Sequence, residues 1–175
     1  MFGHVVVLAA LLLAGTGAAG PTPEPIGPAA QSEAAVQRAA GGHAVFSCRL
    51  PHGKIVTVTR DGGQFLYRYG TAGRPELTIE GTTANGRIFK QAAVHGGSYD
   101  IQLRFVSGAY SYIVHSFPRS DIVDNVPRSG LMVFRGGRKI MDRNCAPWAE
   151  ISFGDFDYLY ALPDIPAGAP SAWGE

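Results

Sequence analysis

From residue 44 to residue 145 the chain alternates apolar and polar side chains in short runs, and that two-residue rhythm excludes most folds. In 99–106, Tyr99, Ile101, Leu103 and Phe105 alternate with Asp100, Gln102 and Arg104. Leu77 and Ile79 are interleaved with Glu76, Thr78 and Glu80, and Phe65, Tyr67 and Tyr69 share one side of 64–69. Successive side chains of an extended strand point to opposite faces, so each run reads as a strand with one face toward a core. Less regular runs rich in Val, Ile, Tyr, Phe and Thr lie at 45–50, 55–60, 87–95, 110–117, 131–135 and 139–143. Together these make about nine strands.

Gly62-Gly63, Gly96-Gly97 and Gly136-Gly137 each separate two such runs. A tight hairpin wants positive φ at its turn positions, which glycine adopts without a Cβ clash. Hairpins make neighbouring strands antiparallel, and no segment here carries the 3.6-residue apolar stripe of a crossover helix. The expected fold is therefore all-β: an antiparallel β-barrel or β-sandwich of about eight or nine short strands. Of the two, the barrel is favoured because closure leaves no exposed edge.

The flanks differ from this core. A chain of 175 residues that is 46% apolar can bury one sizeable core, so a single domain is expected. Residues 5–14 read VVVLAALLLA, a run too short to span a bilayer but suited to the apolar region of a secretory signal. Small residues at Gly17 and Ala19 place cleavage after Ala19, so 1–19 is expected to be a signal peptide and the protein periplasmic or secreted. No Cys follows that run closely, so no membrane anchor is expected. Residues 20–43 form a Pro/Ala/Gly leader with no core-forming period.

Export makes Cys48 and Cys145 an expected disulfide, tying the first strand to the last. The charge is unevenly placed. Residues 44–145 hold 14 Lys and Arg against seven Asp and Glu, net +7. Residues 146–175 hold Glu150, Asp155, Asp157, Asp164 and Glu175 with no base, net −5. This acidic tail also carries Trp148, Phe153, Phe156, Tyr158 and Tyr160. Attraction between the halves predicts that 148–162 folds back near Cys145, burying Phe153, Phe156 and Leu159. The Pro/Ala/Gly-rich end, 163–175, is expected to be disordered.

No reaction is spelled out by the residues. His4, His43, His52, His95 and His115 show no metal-ligand spacing, so no metal and no cofactor is expected. Ser107, His115 and Asp121 are the components of a hydrolase triad without the nucleophile-elbow motif. Asp155 and Asp157 lie in the tail, and Asp121, Asp124 and Asn125 lack the loop of a calcium-binding hand. Arginine outnumbers lysine 12 to three, and Tyr67, Tyr69, Tyr99, Tyr110 and Tyr112 fall among the arginines as in single-strand binders. Export and a net charge of only +1 argue against nucleic acid as the partner.

The stretch FSCRLPHGKIVTVTRDGGQFLYRYGTAGRPELTIEG, followed by GGSYDIQLRFVSGAYSYIV and a late Cys, resembles a group of small secreted bacterial β-proteins. The resemblance covers roughly 46–145. Those proteins often carry a further Cys at the end of the second strand, where this chain has Val56, Thr57, Val58 and Thr59. More distantly, the layout is similar to periplasmic lysozyme inhibitors, which insert a short Ser/Gly/Tyr loop into the enzyme's cleft. Ser107, Gly108, Ala109 and Tyr110 look like that loop, although a tryptophan- and lysine-containing phrase of one inhibitor family does not follow it. The resemblance implies a non-enzymatic binding module with a lysozyme-like enzyme as partner. The alternatives are a carrier of a small apolar or aromatic ligand in a barrel mouth, and a secreted hydrolase.

Overall fold

The computed structural model describes residues 42–95, 98–117, 128–146 and 157–173. The expected signal peptide, nearly all of the leader, Gly96-Gly97, Asp121, Asp124, Asn125, Trp148, Phe153 and Phe156 lie outside the described residues. Nine strands are present: β1 (His43–Arg49), β2 (Ile55–Asp61), β3 (Gln64–Thr71), β4 (Arg74–Thr82), β5 (Ile88–His95), β6 (Ser98–Ser107), β7 (Tyr110–Phe117), β8 (Arg128–Arg135) and β9 (Arg138–Asn144). Each coincides with a run picked out by its side-chain alternation or its β-branched and aromatic content. A short helix, α1 (Asp157–Ala161), follows.

The strands form two antiparallel sheets, ordered β1-β2-β3-β4 and β5-β6-β7-β8-β9. They do not close into a barrel, which corrects the expectation that closure would remove the edges. The reason lies between β4 and β5. The Asn85 carboxamide oxygen accepts the N–H groups of Thr82 (2.9 Å) and Arg87 (3.0 Å), and the Asn85 N–H donates to the Thr82 hydroxyl (3.1 Å). This side-chain-held turn carries the chain from one layer to the other where a hairpin would have continued the sheet. The barrel mouth imagined for a carried ligand therefore has no counterpart.

The space between the sheets is filled by the inward faces. Tyr67 is fully buried, with ring centroids 5.3 Å from Phe105 and 5.5 Å from Tyr112. Val56, Val58, Ile101, Leu103, Val114 and Leu131 complete this layer, each worth about 1.5–3 kcal/mol when fully buried. Tyr99, expected inward, is 50% exposed beside its partner Val94 at 62%, because this end of the β5–β6 hairpin outruns the facing sheet.

The turns refine the glycine argument. Gly136 and Gly137 both take positive φ, at 55° and 83°, as a type I′ turn demands. At the β2–β3 hairpin only Gly62 does so, at 55°, the pattern of a type II′ turn.

Cys48 and Cys145 are bonded across a separation of 97 residues. The Ala146 N–H donates to the Arg49 carbonyl at 2.7 Å beside them. The bond thus clasps β1 of one sheet to the residue that follows β9 of the other.

The tail docks, but not where the charge argument placed it. Tyr158, Leu159 and Leu162 join the core. Tyr158 packs on Phe65 (5.5 Å between centroids) under the Arg60 guanidinium (5.0 Å). Arg60 lies at the far end of β2 from Val56, the strand partner of Cys48, so the docking site is remote from Cys145. Beyond α1 the chain meets the open edge of β5, which supplies backbone partners a tail near Cys145 would not have found. The Lys90 N–H donates to the Pro163 carbonyl (2.8 Å), the Ile165 N–H donates to the Lys90 carbonyl (2.9 Å), and Lys90 Nζ pairs with Asp164 at 2.6 Å. Residues 163–173, expected to be disordered, continue from there as a strap over the outer face of the five-stranded sheet. Hydrogen bonding to an unfilled strand edge outweighs their weak core-forming composition.

Candidate functional site

Ser107 and Tyr110 face each other as the last β6–β7 pair, with Gly108 (φ 57°) and Ala109 exposed between them. The loop is thus a tight two-residue turn between the strands. The neighbouring β8–β9 turn is fused to it, since the Gly136 N–H donates to the Ala109 carbonyl at 2.9 Å. Tyr110 is half-buried, stacked on Tyr112 (6.2 Å) and covered by the Arg135 guanidinium (5.5 Å from the ring centroid). Arg87, whose carbonyl accepts the Val106 N–H, and Arg138, the cross-strand partner of Arg135, lie at the same end. All three arginines are exposed, and none pairs with a carboxylate among the described residues. The result is a cationic and aromatic end to the sheet.

A second surface was not anticipated. On β6 and β7 the outward residues Gln102, Ile113 and His115 are 0%, 0% and 2% exposed, because residues 168–173 cover them. The Gln102 carboxamide accepts the Ala172 N–H (2.7 Å) and donates to the Gln91 carboxamide oxygen (3.0 Å) and the Ser171 hydroxyl (2.9 Å). Trp173 reaches the Phe117 ring at 6.4 Å, and Phe117 stacks on His115 at 4.8 Å. One signal was available in the sequence: 110–117 reads Tyr-Ser-Tyr-Ile-Val-His-Ser-Phe, bulky on both faces, as a strand covered on both sides must be. Beside the strap, Met132, Phe134 and Lys139 with Gly168 and Pro170 bound a cleft of about 290 Å³.

Two polar groups here are desolvated. Burial pulls the His115 imidazole down to about 4; Asp142 opposes the shift and Lys139 adds to it. Neither ring nitrogen has a hydrogen-bond partner among the described residues. The Arg104 guanidinium lies over Phe89 (5.5 Å), donates from Nε to the Ser111 hydroxyl (3.0 Å), and is lowered by its partial burial.

The imagined triad does not assemble from what is described. Ser107 closes β6 at the turn, whereas His115 pairs with Gln102 further along the ladder, and Asp121 lies outside the described residues. Among the described residues no three His, Cys, Asp or Glu side chains group to hold a metal ion.

Gly130 makes the close packing around His115 possible. A Cβ there would press on the Arg143 carbonyl and come within 3.1 Å of His115 Nε2. Gly130→Ala should therefore destabilise the fold by about 1–3 kcal/mol through overpacking. A urea melt with an unchanged midpoint would show that β9 yields freely.

Compared with known protein families, curated proteins and solved structures, the chain finds no match in any of the three.

Proposed function

We propose that the chain is a non-enzymatic binding module of an oxidising compartment outside the cytoplasm, and that it inhibits a lysozyme-like enzyme through the turn end of its five-stranded sheet. The observation that carries this reading is Tyr110 held between Tyr112 and Arg135, with the exposed Arg87 and Arg138 beside it, neither paired with a carboxylate among the described residues. Glycosidases work through two carboxylates flanking the scissile bond. A cationic, aromatic surface complements such a cleft in charge, which speeds encounter and sets orientation. Strand-anchored residues also lose little freedom on docking. The disulfide supports the oxidising compartment.

The purified protein is expected to slow hydrolysis of peptidoglycan by at least one lysozyme type. Tyr110→Ala and Arg135→Ala should each weaken inhibition by about 2 kcal/mol or more, as central anchor residues do, with the melting temperature nearly preserved. Failure to inhibit any of several lysozyme types removes this reading.

A further inference from the structure

The strap over the five-stranded sheet is held in the manner of a peptide ligand. Residues 169–173 are only half-buried, yet the face beneath them is almost completely shielded. Their main anchor is a side-chain amide reading backbone and hydroxyl: Gln102 accepts the Ala172 N–H and donates to Ser171, whose hydroxyl donates in turn to the Gln91 carboxamide oxygen at 3.2 Å. The Trp173 N–H also donates to the Ser171 hydroxyl at 3.2 Å. A half-buried segment secured mainly by a few polar contacts opens at low free energy.

The strap also serves this face incompletely. His115 is the direct cross-strand partner of Gln102, so it stands beside the point where the Ala172 N–H is held. Both of its ring nitrogens are left without partners among the described residues, although the ring is 2% exposed. Burying an unsatisfied polar group is unfavourable, and an incoming group that supplied the missing hydrogen bond would recover that loss. Ala172 has no side-chain atom able to do so.

We propose that this face is a peptide-binding groove which the chain's own residues 166–173 occupy in place of a partner's extended segment, and that a partner bringing a hydroxyl or amide to His115 displaces the strap. The strap defines the chemistry of that partner. It carries small residues over Gln91 and Gln102, a backbone N–H for the Gln102 carboxamide, a polar side chain where Ala172 now lies, and an aromatic residue for Phe117. This groove is distinct from the turn end assigned to the lysozyme-like partner, and either proposal stands without the other.

The probes are two fluorescein-labelled peptides: PDIPAGAPSAW, the sequence of 163–173, and the same peptide with Ala172→Ser. Each is titrated by fluorescence polarisation into the full chain and into full-chain variants whose strap is loosened, Trp173→Ala and Ala172→Pro. Removing the competing segment should tighten binding of both peptides by about tenfold or more, because apparent affinity scales with the fraction of open groove. The Ala172→Ser peptide should bind more tightly than its parent to every form. Gln102→Leu should lose both peptides while keeping a cooperative thermal melt. Binding that is absent from the loosened variants, or no tighter than to the unmodified chain, overturns the groove. Equal affinity of the two peptides overturns the part assigned to His115.

Discussion

Reducing the Cys48–Cys145 bond should lower the unfolding free energy by up to about 4–5 kcal/mol, the chain-entropy figure for closing so long a loop. The bond spans 97 residues, nearly the whole β domain. Its position adds to the expectation. The sheets are linked through the β4–β5 turn, and away from that turn the disulfide and its neighbouring Ala146–Arg49 hydrogen bond tie the end of β1 in one sheet to the residues that follow β9 in the other. Against a typical domain stability of about 5–15 kcal/mol, a loss of that size leaves little margin. Urea melts of the oxidised protein, the reduced protein and a Cys48→Ser/Cys145→Ser variant provide the measurement. A midpoint unmoved by reduction would mean that the inter-sheet core alone holds the clasped side together.

The second large effect is expected in mild acid. His115 titrates near 4 in the folded protein against 6.5 for the ordinary imidazole. Between those values the unfolded chain binds a proton that the folded chain refuses, so stability rises with pH across that window. The contribution is complete above about pH 6.5, is lost as pH falls toward 4, and is flat below that. The shift amounts to about 3 kcal/mol in total. Charging the ring beneath the strap places a desolvated cation beside Phe117, Gln102 and Gly130, which the Asp142 carboxylate offsets only in part. His115→Phe should flatten the stability profile between pH 4 and 6.5 while leaving any carboxylate-dependent loss at lower pH in place. The same slope in both proteins would assign the acid sensitivity elsewhere.

The strands were legible because three of them keep a clean two-residue period, the others are rich in β-branched and aromatic residues, and Gly-Gly pairs punctuate them. Barrel and sandwich were not separable by that signal, since alternation identifies faces and says nothing of which edges meet. The deciding residue, Asn85, acts through four hydrogen bonds to Glu80, Thr82 and Arg87, and its effect on sheet closure has no periodic signature. The tail was read through its large aromatics and its charge. Its anchors within the described residues are Tyr158, Leu159 and Leu162, together with backbone groups at Lys90. Residues 163–173 looked structureless because what holds them is mainly backbone bonds to Lys90 and the side chains of Lys90, Gln91, Gln102 and Phe117, none of which the composition of the segment registers. Ser107, Gly108, Ala109 and Tyr110 stand out in the sequence as a candidate binding loop, and in the fold they form the β6–β7 turn. That Arg135 covers Tyr110 depends on β7–β8 register, which no local pattern reveals.

Among the described residues each strand pairs only with strands adjacent to it in sequence, and this has a kinetic consequence. Most contacts are local hairpins, so each meander can zip from its turns without first closing a long loop. The contacts of long sequence separation are the face-to-face packing of the two sheets, the clasp between Arg49 and Ala146, and the seating of the strap. Meander formation should therefore precede sheet docking, and sheet docking is what brings the two thiols side by side. Oxidation then records the arrival of the second sheet and prevents its departure.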